Sequence, residues 1–202
     1  MRLIVITPPD FYTDELVHVN RMFEQGLPIL HLRKPGFNYK AISGYLKKIA
    51  PEYHTRIVIH SCYELVKDFN LRGLHIKGAD IDDKKAIIQK YKIREGLTVS
   101  ASYHEIKDIN MEETEIDYVF LSPLFDSISK KNYKAQFNHD ELTDALKRAK
   151  IDVIALGGLK LENIHTVKEL GFKGMAFLGA VWDTDDPVKS YMAINDKVKN
   201  IE

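Results

Sequence analysis

Short apolar runs alternate along this chain with longer segments in which apolar residues recur every three or four positions, and that alternation predicts its architecture. The short runs are too brief for helices and rich in β-formers, so each reads as a buried strand. They are Leu3–Ile6, Pro28–Leu32, Ile57–Ile59, Gly73–Ile76, Leu97–Ala101, Tyr118–Leu121, Val153–Leu156 and Gly174–Leu178. Between them the spacing predicts helices over Thr13–Gln25, Tyr39–Ile49, Tyr63–Phe69, Lys84–Tyr91, Glu105–Ile109, Asp140–Arg148, Leu161–Leu170 and Pro187–Val198. In the first of these Leu16, Val19, Met22 and Phe23 share a face, and Gly26 supplies the stop.

Strands that are apolar on both faces, each followed by a helix, point to a parallel sheet covered by helices. Eight such units closing on themselves make a (β/α)₈ barrel, which normally needs about 250 residues. The expected α/β fold is therefore a single compact (β/α)₈ TIM barrel spanning residues 1–202. An open doubly wound sheet is the competing architecture. Its dinucleotide fingerprint is missing after the first strand, where Thr7-Pro8-Pro9 stands in place of glycines.

Composition narrows the class of function. Of 202 residues 45% are hydrophobic, enough for a sizeable core, and 29 basic side chains balance 29 acidic ones. That balance argues against nucleic acid or an anionic membrane as the main partner. One cysteine, Cys62, excludes an internal disulfide and suits a reducing compartment; it reads as a small buried residue rather than a nucleophile. The apolar run at Met1–Ile6 is too short for a signal peptide or membrane span, so the expectation is a cytoplasmic protein. A homo-oligomer remains open.

In a barrel the chemistry gathers where the strands end at their carboxyl side. Those positions give Thr7, His31, Arg33, His60, Asp80, Ser102 and His104. They continue with Ser127, Ser129 and Lys130, then Gly157-Gly158 and Gly179-Ala180. The segment Asp117–Lys130 is the most informative: a strand, a proline stop at Ser122-Pro123, then two hydroxyls two residues apart and an ammonium. Hydroxyls, free loop amides and a compact cation are what a phosphate needs, although a plain polar loop would read similarly. The glycines after the seventh and eighth strands stand where barrels bind phosphate through bare amides; a tight strand-to-helix turn would also use them.

These residues resemble the family of thiamine phosphate synthase and the thiazole tautomerase TenI, nearly end to end. The stretch Asp117-Tyr-Val-Phe-Leu-Ser-Pro-Leu-Phe-Asp-Ser-Ile-Ser-Lys130 is similar to D-Y-V-x-x-G-P-x-F-x-T-x-T-K. Ala155-Leu-Gly-Gly-Leu followed by Asn163 resembles A-I-G-G-I…N, Gly174–Val181 resembles G-V-A-V-V-S-A-I, and Gly73–Ile76 resembles G-V-H-L. The resemblance implies that Ser127 and Ser129 donate to a thiazole phosphate, with the backbone at Gly158, Gly179 and Ala180 completing the cradle. It further implies that Lys130 and Ser102 meet the pyrophosphate of a pyrimidine substrate and that Asp80 is one of two magnesium-binding aspartates.

The departures point the other way. An N-D pair expected after the third strand reads His60-Ser61, which removes one Mg²⁺ carboxylate. A Q-L-R-x-K motif after the second reads His31-Leu-Arg-Lys34, so the pyrimidine-reading glutamine is gone and the lysine has moved one place. The tautomerase has a histidine at the position of His31 and a catalytic histidine in an S-x-H segment, which Ser102-Tyr-His104 matches. Imidazole titrates near neutral pH and suits a proton shift on a thiazole, so His104 is the catalytic candidate. Arg33 suits an oxyanion contact; with Ser102 it joins His31, Lys34 and His60 as the substrate-binding candidates, while His31 and His75 also read as inward, hydrogen-bonded side chains. Three readings stand: a cofactor-free tautomerase, slightly favoured; a divergent synthase using Mg²⁺; and a non-catalytic barrel that binds phosphate ligands.

Overall fold

A computed structural model describes residues 1–10, 12–109, 115–125 and 137–201. Eight parallel strands close into one barrel in sequence order. They are β1 Arg2–Ile6, β2 Ile29–Leu32, β3 Ile57–Ile59, β4 Gly73–Ile76, β5 Thr98–Tyr103, β6 Tyr118–Leu121, β7 Asp152–Leu156 and β8 Gly174–Phe177. Closure is the β1–β8 ladder, with Arg2 opposite Gly174 and Val5 opposite Phe177. An open doubly wound sheet is thereby excluded. Ile59, Ile76, Leu121 and Leu156 each end their strands, so the polar residues after them collect at one mouth.

The helices are α1 Glu15–Glu24, α2 Tyr39–Leu46, α3 Lys84–Tyr91, α4 Ile106–Ile109, α5 His139–Arg148, α6 Ile164–Leu170, α7 Gly179–Trp182 and α8 Pro187–Asn200. Two caps explain where helices begin. Asn138 accepts from the amides of Asp140 and Glu141, and Asp186 accepts from those of Val188 and Lys189 ahead of a proline at the first helical position. Gly171, at φ 101°, ends α6. The helix expected over Tyr63–Phe69 is instead a 3₁₀ segment, Tyr63–Lys67. The span between β3 and β4 also has to hold a left-handed Cys62, φ 54°, and the descent into β4, which leaves room for only short turns. The α7 turn was not anticipated; Trp182 fixes it by donating from Nε1 to the Ile6 carbonyl at 2.8 Å.

Strand alternation divides the core in two. Leu3, Val5, Leu30, Leu32, Val99 and Val119 face the helices in the large outer core. Ile4, Ile6, Ile29, Val58, Tyr118, Phe120, Ile154 and Ala176 fill the barrel interior. The interior is not apolar throughout: His31, His60, His75 and Ser100 are buried there, on β2, β4, β5 and the end of β3. Among the described residues no helix is long and apolar enough to cross a membrane.

Candidate active site

A cavity of about 640 Å³ opens at the carboxyl mouth, within the size range of small-molecule sites. His60, His75 and Phe120 belong to its lining, and the rings of His75 and Phe120 stack at 4.9 Å. Ring nitrogens are tied in pairs beneath it. Nδ1 of His31 and Nε2 of His60 are hydrogen-bonded at 2.9 Å, and Nε2 of His31 and the Tyr118 hydroxyl at 2.8 Å. His75 bonds Ser100 Oγ through Nδ1 at 2.9 Å and Ser102 Oγ through Nε2 at 2.8 Å.

Burial in this interior disfavours the charged imidazolium, and the neighbouring histidines and Arg33 add to the effect. Burial first, then Arg33, takes His75 down to about 3. Burial first, then His75, holds His31 well below the ordinary histidine value, and His60 is lowered by the same two causes. Burial pushes the Tyr118 hydroxyl up to about 12. The floor of the cavity is therefore uncharged at neutral pH.

The structure sorts the expected site residues. Arg33, His60, Ser102, His104, Gly157, Gly158, Gly179 and Ala180 all line the cavity. Ser127, Ser129 and Lys130 lie outside the described residues. His31 is fully buried behind His60 and does not line the cavity, which corrects its expected contact with substrate. Lys34 is corrected too. It borders the cavity, but its ammonium is buried and saturated by Glu15 Oε2 at 2.5 Å, the Pro8 carbonyl at 2.7 Å and the Asp10 carbonyl at 3.0 Å. Tyr45 donates to the other Glu15 oxygen at 2.7 Å, which completes a structural ion pair.

Arg33 keeps its place at the mouth because Thr7 clamps its backbone. Thr7 Oγ1 accepts from the Arg33 amide at 2.9 Å and donates to its carbonyl at 3.2 Å. No carboxylate pairs with the guanidinium among the described residues. His104 is exposed, and its Nδ1–H donates to the Ser122 carbonyl at 2.9 Å. A carbonyl can only accept, so Nδ1 carries a proton, and in the neutral ring Nε2 is the nitrogen that holds the lone pair.

On the β7–β8 side the backbone is bare. Gly157 has φ 94°, and a Cβ there would lie 2.9 Å from Pro123 Cα, so only glycine lets the turn close on the β6 loop. The amides of Gly158, Gly179 and Ala180 have no acceptor among the described residues. One carboxylate sits beside this cradle: a Cβ on Gly179 would be 2.7 Å from Asp183 Oδ2. Strand-end reading overlooked three lining residues, Lys77, Lys160 and Asp183. Lys77 was detectable, because it directly follows the last residue of β4.

The Mg²⁺ that the resemblance implies finds a poor donor set. Mg²⁺ takes oxygen ligands in a tight octahedron. Asp80 does not line the cavity, and its Oδ2 already accepts from the Tyr63 hydroxyl at 3.2 Å and pairs with Lys77 Nζ at 3.5 Å. Ser61 and His60 stand where the other ligands are expected. Among the described residues the one group of three potential ligands is His31, His60 and His75, which offers nitrogen, and both nitrogens of His31 and of His75 are already engaged. These residues do not fit a magnesium ion.

Comparison with known proteins gives a consistent picture. The family model described as thiamine monophosphate synthase matches residues 3–181. A thiamine-phosphate synthase of Desulfitobacterium hafniense (strain Y51) is 25% identical over 202 residues, covering 98% of this chain and 94% of its own. That of Latilactobacillus sakei subsp. sakei is 26% identical over 165 residues, 79% of this chain and 72% of its own. Among solved structures, a thiamine phosphate pyrophosphorylase from Bacteroides thetaiotaomicron aligns with TM-score 0.75 at 32% identity, over 100% of this chain and 97% of that one. A second, from Pyrococcus furiosus, aligns with TM-score 0.80 at 20% identity over 99% and 96%, a likeness of fold.

Proposed function

The chain belongs to the thiamine monophosphate synthase family, and on that premise we propose that it acts in thiamine biosynthesis, joining a hydroxymethylpyrimidine pyrophosphate to a thiazole phosphate. One observation favours this reading over the others: among the described residues, a single cavity has amides without acceptors on one side and cations on another. The free amides of Gly158, Gly179 and Ala180 suit a monophosphate, as bare backbone donors do elsewhere. Arg33 and Lys77 lie at the ends of β2 and β4, two and four strands away from β8 around the closed barrel, and suit a second, more highly charged group.

In the transfer, the bond between the pyrimidine's methylene carbon and the pyrophosphate oxygen breaks, and the oxygen keeps the electron pair. The thiazole ring nitrogen supplies the pair for the new carbon–nitrogen bond. Negative charge grows on the departing oxygens, so fixed cations at that end act where charge develops. Positive charge grows at the methylene carbon, and a neutral floor of His60, His75 and Phe120 does not oppose it.

A second reading, thiazole tautomerisation, is favoured by His104 Nε2, which has no hydrogen-bond partner among the described residues, since a positioned imidazole can carry a proton between two carbons. Variant kinetics separate the two. Arg33→Ala should cut pyrophosphate release that depends on thiazole phosphate by about 10²–10³-fold, the usual effect of losing one charge-stabilising donor. His104→Ala should leave that release within a few fold of wild type. If instead His104→Ala abolishes proton exchange into a thiazole carboxylate phosphate by about 10²–10⁴-fold, and pyrophosphate is never released, tautomerisation is the activity.

A further inference from the structure

We propose that the Lys77 ammonium, held beside Asp80 at the end of β4, takes the place of a divalent cation, so that the pyrophosphate of the substrate is neutralised by side chains alone. The inference rests on the synthase reading and adds to it how the leaving group is held.

Three observations carry it. First, Lys77 lines the cavity with half its side chain exposed, while Asp80 does not line it. Second, the 3.5 Å contact between Lys77 Nζ and Asp80 Oδ2 puts a positive charge at the carboxylate that the resemblance assigns to a metal. A divalent ion at that oxygen would have to displace the ammonium or sit against it, and like charges at such distances repel. Third, with Lys34 spent on Glu15, the lining keeps two cations after β2 and β4, Arg33 and Lys77, and another, Lys160, after β7, against one carboxylate among the described residues, Asp183. Pyrophosphate has oxygens enough for both Arg33 and Lys77. The planar guanidinium of Arg33 can take two at once, and an ammonium binds as a compact point charge.

Asp80 then has a different task from ligation. With the Tyr63 hydroxyl on the same oxygen at 3.2 Å, it anchors the lysine at the mouth rather than letting it spread into solvent. Tyr63 shares its single proton between that oxygen and the His75 carbonyl, the latter at 3.0 Å. The series Tyr63, Asp80, Lys77 thus ties the ammonium to the barrel wall.

The test is calorimetric titration of the full chain with inorganic pyrophosphate, in EDTA and again with Mg²⁺. Wild type is expected to bind in EDTA. Lys77→Ala is expected to lose about 10–100-fold in affinity in EDTA, the range for one charged hydrogen-bond partner, with its thermal midpoint unchanged. Lys77→Arg should stay within a few fold of wild type. Mg²⁺ should improve binding more in Lys77→Ala than in wild type, because Asp80 has then lost its partner. Wild type that binds only with Mg²⁺ overturns the inference and leaves the synthase reading intact, as does a Lys77→Ala variant that binds normally in EDTA. Wild type that binds pyrophosphate under neither condition overturns both.

Discussion

Lys34→Ala should destabilise the barrel by about 3–5 kcal/mol, the cost of breaking a buried ion pair from one side. Both partners are inside: the side chains of Lys34 and Glu15 are 2% and 7% exposed. The ammonium satisfies one carboxylate and two backbone carbonyls, at Pro8 and Asp10, in the loop after β1. Removing it leaves Glu15 buried with only the Tyr45 hydroxyl, and orphans both carbonyls. The loss comes from the charge left behind rather than from the pair's intrinsic worth, so the double variant Lys34→Met/Glu15→Gln should lose much less than Lys34→Ala alone. Urea unfolding of wild type and the two variants checks this. Equal losses in both variants would show that the pair is not what holds the loop.

Acid should weaken the fold well before its carboxylates titrate. His31, His60 and His75 are kept neutral by burial, each far below the ordinary histidine value of 6.5. A histidine whose folded value is depressed stabilises the fold fully above 6.5, where the unfolded chain is neutral too. It loses that contribution as pH falls below 6.5, because the unfolded chain then takes up a proton that the folded one refuses. Three such groups together cost about 4 kcal/mol between pH 7.5 and 5.5, a large part of the ~5–15 kcal/mol of a typical domain. Urea unfolding at the two pH values measures it. A stability independent of pH across that interval would mean that these rings charge freely, and so are not buried as described.

How far the sequence could be read follows from the distance over which each residue's partners act. Strands were legible because a run such as Tyr118–Leu121 carries its own signal, and the predicted and observed bounds of β3, β4 and β6 coincide. The 3₁₀ turn at Tyr63–Lys67 was not, because the length available before β4 overrode a helical spacing. His31 showed itself inward by standing between Leu30 and Leu32, yet its partner Tyr118 is 87 residues away and no local pattern links them. Lys34 looked like a substrate contact because it follows a strand end; its true partner lies 19 residues upstream on α1, visible only once the helix packs. That Gly157-Gly158 and Gly179-Ala180 line the mouth was legible because they stand just after strand ends. Lys77 escaped notice because Asp80, three residues on, carried the resemblance.

In the proposed function, one cavity joins two phosphorylated heterocycles. The most direct test incubates the purified chain with hydroxymethylpyrimidine pyrophosphate and thiazole phosphate, in EDTA and in Mg²⁺, and follows product by mass spectrometry. Thiamine phosphate should form together with an equal amount of pyrophosphate, and neither should appear when either substrate is left out. A chain that yields no thiamine phosphate under either condition, yet exchanges protons into a thiazole carboxylate phosphate, would contradict the account.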